Sequence, residues 1–132
     1  MGKKILIIDD DVTTSKMLGV KLKKAGFDVV IAMDPLYGLR AAHSGMPDII
    51  VLDLLMPAGG GLFFLDKITR SPTTTMIPVI VTSATEDKKM IQDVLERGII
   101  FVQKPYDLEA LIEKIKLILE GSIDSIPGNT PD

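Results

Sequence analysis

Short runs of aliphatic residues alternate along the chain with longer segments whose apolar positions recur at helical spacing. The runs predict strands of a parallel sheet buried on both faces, at residues 5–8, 27–32, 47–53, 77–82 and 99–103. The segments between them predict five helices, at 12–25, 34–45, 62–69, 85–97 and 107–119. This alternation with short links is typical of an α/β fold, a doubly wound five-stranded parallel sheet with right-handed crossovers. We expect the first strand to be central.

Residues that begin or end helices stand at several of these boundaries. Asp34 followed by Pro35 predicts an N-cap and a first helical residue, and Gly26 predicts the end of the first helix. The segment Met56–Gly61 is predicted to be a loop, because three consecutive glycines are unfavourable inside a regular element. The predicted apolar face of the first helix comprises Val12, Met17, Leu18, Val20 and Leu22.

Length and composition narrow the class of protein. A chain of 132 residues is long enough for one domain with its own core, which we place at residues 1–120. The proline- and glycine-rich segment 121–132 is expected to be a flexible tail or the start of a linker. The chain has no cysteine, which excludes disulfides and thiol chemistry, and its net charge of −3 argues against nonspecific nucleic-acid binding. With no secretory signal and no apolar stretch of membrane-spanning length, it is expected to be a cytoplasmic domain.

Charged residues follow the predicted strands at the points where they end. Asp9–Asp11 follow the first strand, Asp53 ends the third and Lys104 follows the fifth, while Thr82 and Ser83 supply hydroxyls at the end of the fourth. Chemistry gathers outside the carboxyl ends of parallel strands, so we expect these side chains to meet. Clustered carboxylates are typical ligands of Mg²⁺.

The expected ligands are Asp10 and Asp53, with Asp9 acting through water and the backbone carbonyl of Leu55 as a further donor. An aspartate beside Mg²⁺ can also act as a phosphoryl acceptor, and Lys104 would then be the fixed cation.

Four of these segments together resemble the receiver domain of two-component response regulators. They are Ile7–Asp11, Leu52–Pro57, Pro78–Ala84 and Lys104–Pro105, in that family's order and spacing. The resemblance covers residues 3 to about 120 and implies the flavodoxin-like strand order 2-1-3-4-5.

The resemblance also implies roles for individual residues. Asp53 corresponds to the phosphoacceptor, and Asp9 and Asp10 correspond to the acidic pair that holds Mg²⁺, with Asp10 the more direct ligand. Lys104 corresponds to the lysine that pairs with Asp53 and then with its phosphate, and Pro105 to its cis-peptide partner. The resemblance further implies no enzymatic turnover beyond self-catalysed phosphorylation and autodephosphorylation.

The implied switch lies beside this site. Ser83, rather than Thr82, corresponds to the switch hydroxyl, and Phe101 falls where the family has a rotating aromatic, although it lacks a phenolic hydroxyl. Ser83 as an ordinary strand-end hydroxyl and Phe101 as a core residue are the alternatives. Phosphorylation would alter the surface formed by the fourth helix, fifth strand and fifth helix.

The implied partners are a sensor histidine kinase or a histidine phosphotransfer protein, an output domain or protein of unknown kind, and a second copy on phosphorylation. Direct nucleic-acid binding by this domain and membrane association are not expected. One residue departs from the family pattern, because Gly60 stands where an aspartate is usual. We expect the next helix to lose an N-cap and the loop to become more mobile.

Two other interpretations remain. Asp9–Thr13 fits the Asp-x-Asp-x-Thr motif of phosphatases of the haloacid dehalogenase type, with Asp9 as nucleophile. That class would need a further acidic motif after the fourth strand and a cap domain. A degenerate receiver that serves only as a binding platform is the other interpretation, against which the intact Asp10, Asp53 and Lys104 argue.

Overall fold

The computed structural model describes residues 2–121, which form one parallel sheet with helices on both faces. The strands are β1 Lys4–Ile8, β2 Asp28–Ala32, β3 Ile49–Asp53, β4 Val79–Ser83 and β5 Ile100–Gln103. The helices are α1 Val12–Lys24, α2 Pro35–Gly45, α3 Gly60–Arg70, α4 Lys88–Glu96 and α5 Leu108–Leu119, with a short 3₁₀ helix at Pro57–Gly59. The predicted class and element order are therefore confirmed. Apart from Gly121, the predicted tail lies outside the described residues.

The strand order is β2-β1-β3-β4-β5, as the resemblance implies. The prediction that the first strand is central is wrong in detail, because β1 is interior but β3 occupies the middle of the sheet. All five residues of β3 are buried, whereas β1 begins with the half-buried Lys4. β3 has two strands on each side in the sheet and is covered by helices on both faces, so it is the central strand.

Successive residues of each strand enter two different cores, one on each face of the sheet. On one face, Leu6 and Ile8 of β1 pack with Phe64, Leu65 and other residues of α2, α3 and α4. On the other face, Ile5 and Ile7 pack with Leu18, Leu22 and residues of α5. This double burial explains why the strands read as continuous aliphatic runs.

The apolar face predicted for α1 is only partly correct. Leu18 and Leu22 are buried, but Val12, Met17 and Val20 are 58%, 57% and 49% exposed. The buried face also includes two small residues, Ser15 and Gly19, and Gly19 lets α1 approach Val29 and Ile31 of β2 closely. The predicted stripe was too wide because hydropathy does not show which apolar side chains the sheet can reach.

The loop predicted for Met56–Gly61 is wrong, since the 3₁₀ helix lies within it and α3 already begins at Gly60. A Cβ atom on Gly61 would lie far inside van der Waals contact with the carbonyl oxygen of Leu54. A Cβ atom on Gly60 would stand 2.6 Å from Cγ of Pro35, the first residue of α2. Close packing, rather than helix propensity, therefore explains these two glycines.

The cap position of α3 is Gly59, which has φ of 71° and no side chain to cap the helix. The helix does lack a side-chain N-cap, as expected, but the position concerned is Gly59 rather than Gly60. The N-cap predicted at Asp34 is confirmed, and two further aspartates act in the same way. Asp34, Asp87 and Asp107 accept hydrogen bonds from backbone N–H groups in the first turns of α2, α4 and α5.

Across residues 2–121, none of the helices has the length and apolar character that crossing a bilayer requires.

Candidate functional site

The ends of three strands bring a lysine and two buried carboxylates together. Asp9 follows β1, Asp53 ends β3 and Lys104 follows β5. In the alternation of each strand, the three residues have the same phase as Ile7, Val51 and Val102, which face the α1 and α5 side. Asp9 and Asp53 are only 4% and 6% exposed. The expected meeting of charges at the carboxyl edge of the sheet is therefore present.

Asp10 joins these carboxylates to form an acidic cluster of Asp9, Asp10 and Asp53. One carboxylate oxygen of each residue lies within 4.8 Å of the others. Asp10 is exposed, whereas the other two are buried. Three carboxylates at this separation suit a hard divalent cation with oxygen ligands, so the donor set fits Mg²⁺.

Lys104 bridges the two buried carboxylates. Its Nζ donates a hydrogen bond to Oδ2 of Asp9 at 3.1 Å and lies 3.7 Å from Oδ1 of Asp53. The resemblance implies a pairing with Asp53, but the closer partner here is Asp9. A single ammonium group cannot fully compensate two carboxylates, so the site retains excess negative charge.

Asp53 has a raised proton affinity in this setting. The pKa of this carboxyl is raised from 3.8 to about 6, mainly by burial and in addition by the negative charges of Asp9 and Asp10, against the lowering effect of Lys104. The backbone N–H of Leu55 donates to Asp53 Oδ1 at 3.4 Å and also lowers the pKa. Ionised Asp53 is thus held in an unfavourable setting that a cation would relieve.

The side chain of Asp11 is not part of this cluster, although its backbone N–H donates a hydrogen bond to Oδ1 of Asp9 at 2.9 Å. The Asp11 carboxylate accepts hydrogen bonds from N–H of Thr14 at 3.2 Å and from the Thr14 hydroxyl at 2.9 Å, which caps α1. These two bonds lower the pKa of Asp11. The second aspartate of the phosphatase-type motif is therefore occupied by a structural role.

Both candidate hydroxyls at the end of β4 are buried. Thr82 pairs in register with Asp53, while Ser83 pairs with Gln103 of β5. The Ser83 hydroxyl oxygen accepts a hydrogen bond from N–H of Thr85 at 3.0 Å. The choice of Ser83 as the switch hydroxyl remains a prediction.

Of the remaining predicted residues, Pro105 lies at this edge of the sheet, whereas Phe101 lies within β5. The peptide bond between Lys104 and Pro105 is cis, the conformation that the resemblance implies. Phe101 is partly buried against the core on the α2, α3 and α4 face. Its rotation, like the metal-binding role of the Leu55 carbonyl, remains a prediction.

Sequence reasoning missed three residues beside the site. Burial and the charges of the nearby aspartates raise the pKa of Tyr106 to about 12. Thr85 is buried, and its carbonyl accepts a hydrogen bond from the Gln103 side-chain amide at 3.3 Å. The position of Tyr106, two residues after Lys104, was a usable signal. No sequence pattern indicates the hydrogen bond between Gln103 and Thr85.

Comparisons with known proteins agree with the fold and the acidic edge. The family model described as the response regulator receiver domain matches residues 5–116. RpaA of Synechocystis, named as a DNA-binding dual master transcriptional regulator, is 34% identical over 127 residues, which are 94% of this chain and 52% of that protein. The chain thus spans about half the length of this relative.

Two solved structures show the same architecture. The receiver domain of the Francisella response regulator 1452 has a TM-score of 0.80 and 27% identity, with 92% of this chain and 99% of that chain covered. A CheY-like receiver domain protein from Methanospirillum hungatei has a TM-score of 0.84 at 24% identity, with 92% and 96% covered. The latter likeness concerns the fold alone.

Proposed function

The chain belongs to the response regulator receiver domain family, and from that membership we propose that it accepts a phosphoryl group on Asp53. Family membership supports the receiver interpretation over a phosphatase of the haloacid dehalogenase type. Receiver domains of response regulators are generally signalling domains rather than enzymes, and they act with histidine kinases and output domains. The observation that carries the proposal is the meeting of Asp53 with Asp9, Asp10 and Lys104.

Receiver domains generally bind Mg²⁺ at an acidic pocket, and the donor set here fits that ion. Asp10 and Asp53 would hold it with the carbonyl of Leu55, and Asp9 would act through water. Asp9 is the carboxylate closest to Lys104, which supports its less direct role. When bound, the ion supplies positive charge that offsets both the repulsion among the carboxylates and the charge of the phosphoryl oxygens.

In the proposed reaction, the donor is a phosphohistidine of a sensor histidine kinase or a histidine phosphotransfer protein. A carboxylate oxygen of Asp53 attacks phosphorus, the P–O bond forms as the P–N bond breaks, and the departing imidazole nitrogen takes up a proton. Lys104 is 3.7 Å from Asp53 and so lies within reach of the added phosphoryl oxygens. Hydrolysis of the acyl phosphate by water returns Asp53 and inorganic phosphate, which is autodephosphorylation.

The proposed output is a change in the surface formed by α4, β5 and α5. Ser83 would donate its hydroxyl hydrogen to a phosphoryl oxygen, and Phe101 would repack beneath α4. A second copy of the chain on this surface and an output domain or protein are the proposed recipients of the signal. The cytoplasmic location remains a prediction.

The test is to incubate the protein with acetyl phosphate and Mg²⁺ and to measure the intact mass. We expect one phosphoryl adduct that is labile to hydroxylamine, absent from Asp53→Asn and retained by the matched control Asp28→Asn, whose carboxylate is exposed at the start of β2. Omission of Mg²⁺ should abolish the adduct. An adduct that survives Asp53→Asn would refute the assignment, and no adduct at all would favour a receiver that serves only as a binding platform.

A further inference from the structure

Three side chains form a continuous set of hydrogen bonds from the end of β4 to the start of α4. The Ser83 hydroxyl oxygen accepts from N–H of Thr85 at 3.0 Å, and the Thr85 hydroxyl oxygen accepts from N–H of Asp87 at 3.1 Å. The carboxylate of Asp87 then accepts from N–H of Lys89 at 3.0 Å and of Met90 at 3.4 Å. Each link holds the backbone of the next, so a displacement of one oxygen is passed along the loop.

Thr85 is the central member of this set because all three of its polar groups are engaged. Its N–H donates to Ser83, its hydroxyl accepts from Asp87, and its carbonyl accepts from Nε2 of Gln103 on β5 at 3.3 Å. Ser83 is fully buried and Thr85 is 9% exposed. Water cannot readily replace the bond between them, so breaking it leaves a buried group unsatisfied.

The helix that receives this displacement has little buried surface along its length and an ion pair to α3 at its far end. Val94 is the one fully buried residue of α4 among its nine. At the carboxyl end, Arg97 lies 2.6 Å from Asp66 of α3 and also pairs with Asp93. We therefore expect the amino end of α4 to move more easily than the end that Arg97 links to α3.

We propose that Thr85 is a positioning residue that couples the Ser83 hydroxyl to the amino end of α4, with Gln103 restraining its carbonyl in the unphosphorylated domain. The inference rests on the proposed function, since it takes phosphorylation of Asp53 as the event that moves Ser83. Phe101 has no hydrogen-bonding side-chain atom and cannot hold the loop in this way. The side chain from β5 that bonds the Thr85 carbonyl is Gln103.

The experiment follows backbone amide signals by NMR while beryllofluoride and Mg²⁺ are added. In the unaltered protein, we expect shifts at Leu55 and Ser83 beside the site and at Lys89 and Met90 on α4. In Thr85→Val, which keeps the shape but loses the hydroxyl, the shifts on α4 should fall by at least half while those beside the site persist. Thr85→Ser restores the hydroxyl and should restore the response on α4.

Two further variants make the result specific. Thr69→Val is the matched control, because the Thr69 hydroxyl bonds only backbone carbonyls of its own helix and should leave the response unchanged. Gln103→Leu removes the restraint, so the amides of Thr85 and Asp87 should move part of the way toward their bound positions before beryllofluoride is added. If Thr85→Val does not fold, Gln103→Leu alone tests the proposed coupling.

A full response on α4 in Thr85→Val, or loop signals unmoved in Gln103→Leu, would overturn the coupling and leave the proposed function intact. Absence of any shift beside Asp53 in the unaltered protein would overturn the proposed function, and the coupling with it.

Discussion

Replacing Asp53 with asparagine is expected to stabilise the domain at neutral pH. The ionised carboxylate is 6% exposed, lies near two other aspartates and has a pKa raised from 3.8 to about 6. Because a tenfold change in proton affinity is worth about 1.4 kcal/mol, ionised Asp53 lowers the free energy of unfolding by about 3 kcal/mol. Asparagine resembles the neutral acid in shape and removes that cost.

The sign of the pH dependence follows from the direction of the pKa change. Between about pH 4 and pH 6 the folded protein binds the proton on Asp53 more tightly than the unfolded chain does. Through this group, the stability of the unaltered protein therefore falls as pH rises across that range and reaches its full loss above pH 6. The advantage of Asp53→Asn should be about 3 kcal/mol at pH 7 and should shrink toward zero near pH 4.

The assay is urea unfolding followed by circular dichroism, in a chelating buffer, at several pH values between 4 and 7.5. In a thermal scan, a gain of about 3 kcal/mol would correspond to a rise in melting temperature of about 10 °C for a domain of this size. Asp28→Asn removes an exposed charge and should change stability by less than about 0.5 kcal/mol. Mg²⁺ at ten times its dissociation constant should stabilise the unaltered protein by about 1.4 kcal/mol and narrow the gap.

Equal or lower stability of Asp53→Asn at pH 7, or a gain that does not vary with pH, would refute this reasoning. Either result would mean that the acidic cluster is already compensated without a cation.

Other substitutions test separate parts of the structure by the same unfolding assay. Lys104→Met leaves Asp9 buried without its partner and should lower stability by about 3 kcal/mol at pH 7, and no loss would show that the 3.1 Å pair is unimportant. Gly61→Ala places a methyl group against the carbonyl of Leu54 and should lower stability by about 3 kcal/mol or more, whereas a neutral result would mean that α3 can shift freely. Asp87→Ala removes the N-cap of α4 and should lower stability by about 1 kcal/mol, and an unchanged value would show that the cap is replaced by water.

Much of the fold could be predicted because its signals are local. Double burial gives aliphatic runs, and capping residues such as Asp34 and Asp107 act within their own helix turns. The misjudged segments depend instead on distant partners. Gly61 is explained by the backbone just after β3, and Met17 is exposed although its hydropathy predicts burial.

The site divides in the same way. The meeting of Asp53 and Lys104 could be predicted, because the chain direction of a parallel sheet fixes which strand ends are neighbours. The closer contact of Lys104 with Asp9 could not, since it depends on side-chain conformation in three dimensions. Thr85 and Gln103 were missed because a hydrogen bond from a side chain to a loop carbonyl has no sequence signature.

The contact between Gly60 and Pro35 has a consequence for exchanging segments among relatives. Because a Cβ atom at position 60 would lie only 2.6 Å from Cγ of Pro35, a side chain there requires the residue at position 35 to move or to be smaller. Grafting an aspartate-bearing β3–α3 connection into this protein should therefore fail unless the start of α2 is exchanged with it. We expect the two positions to form an epistatic pair, in which a substitution harmless in one background is harmful in the other.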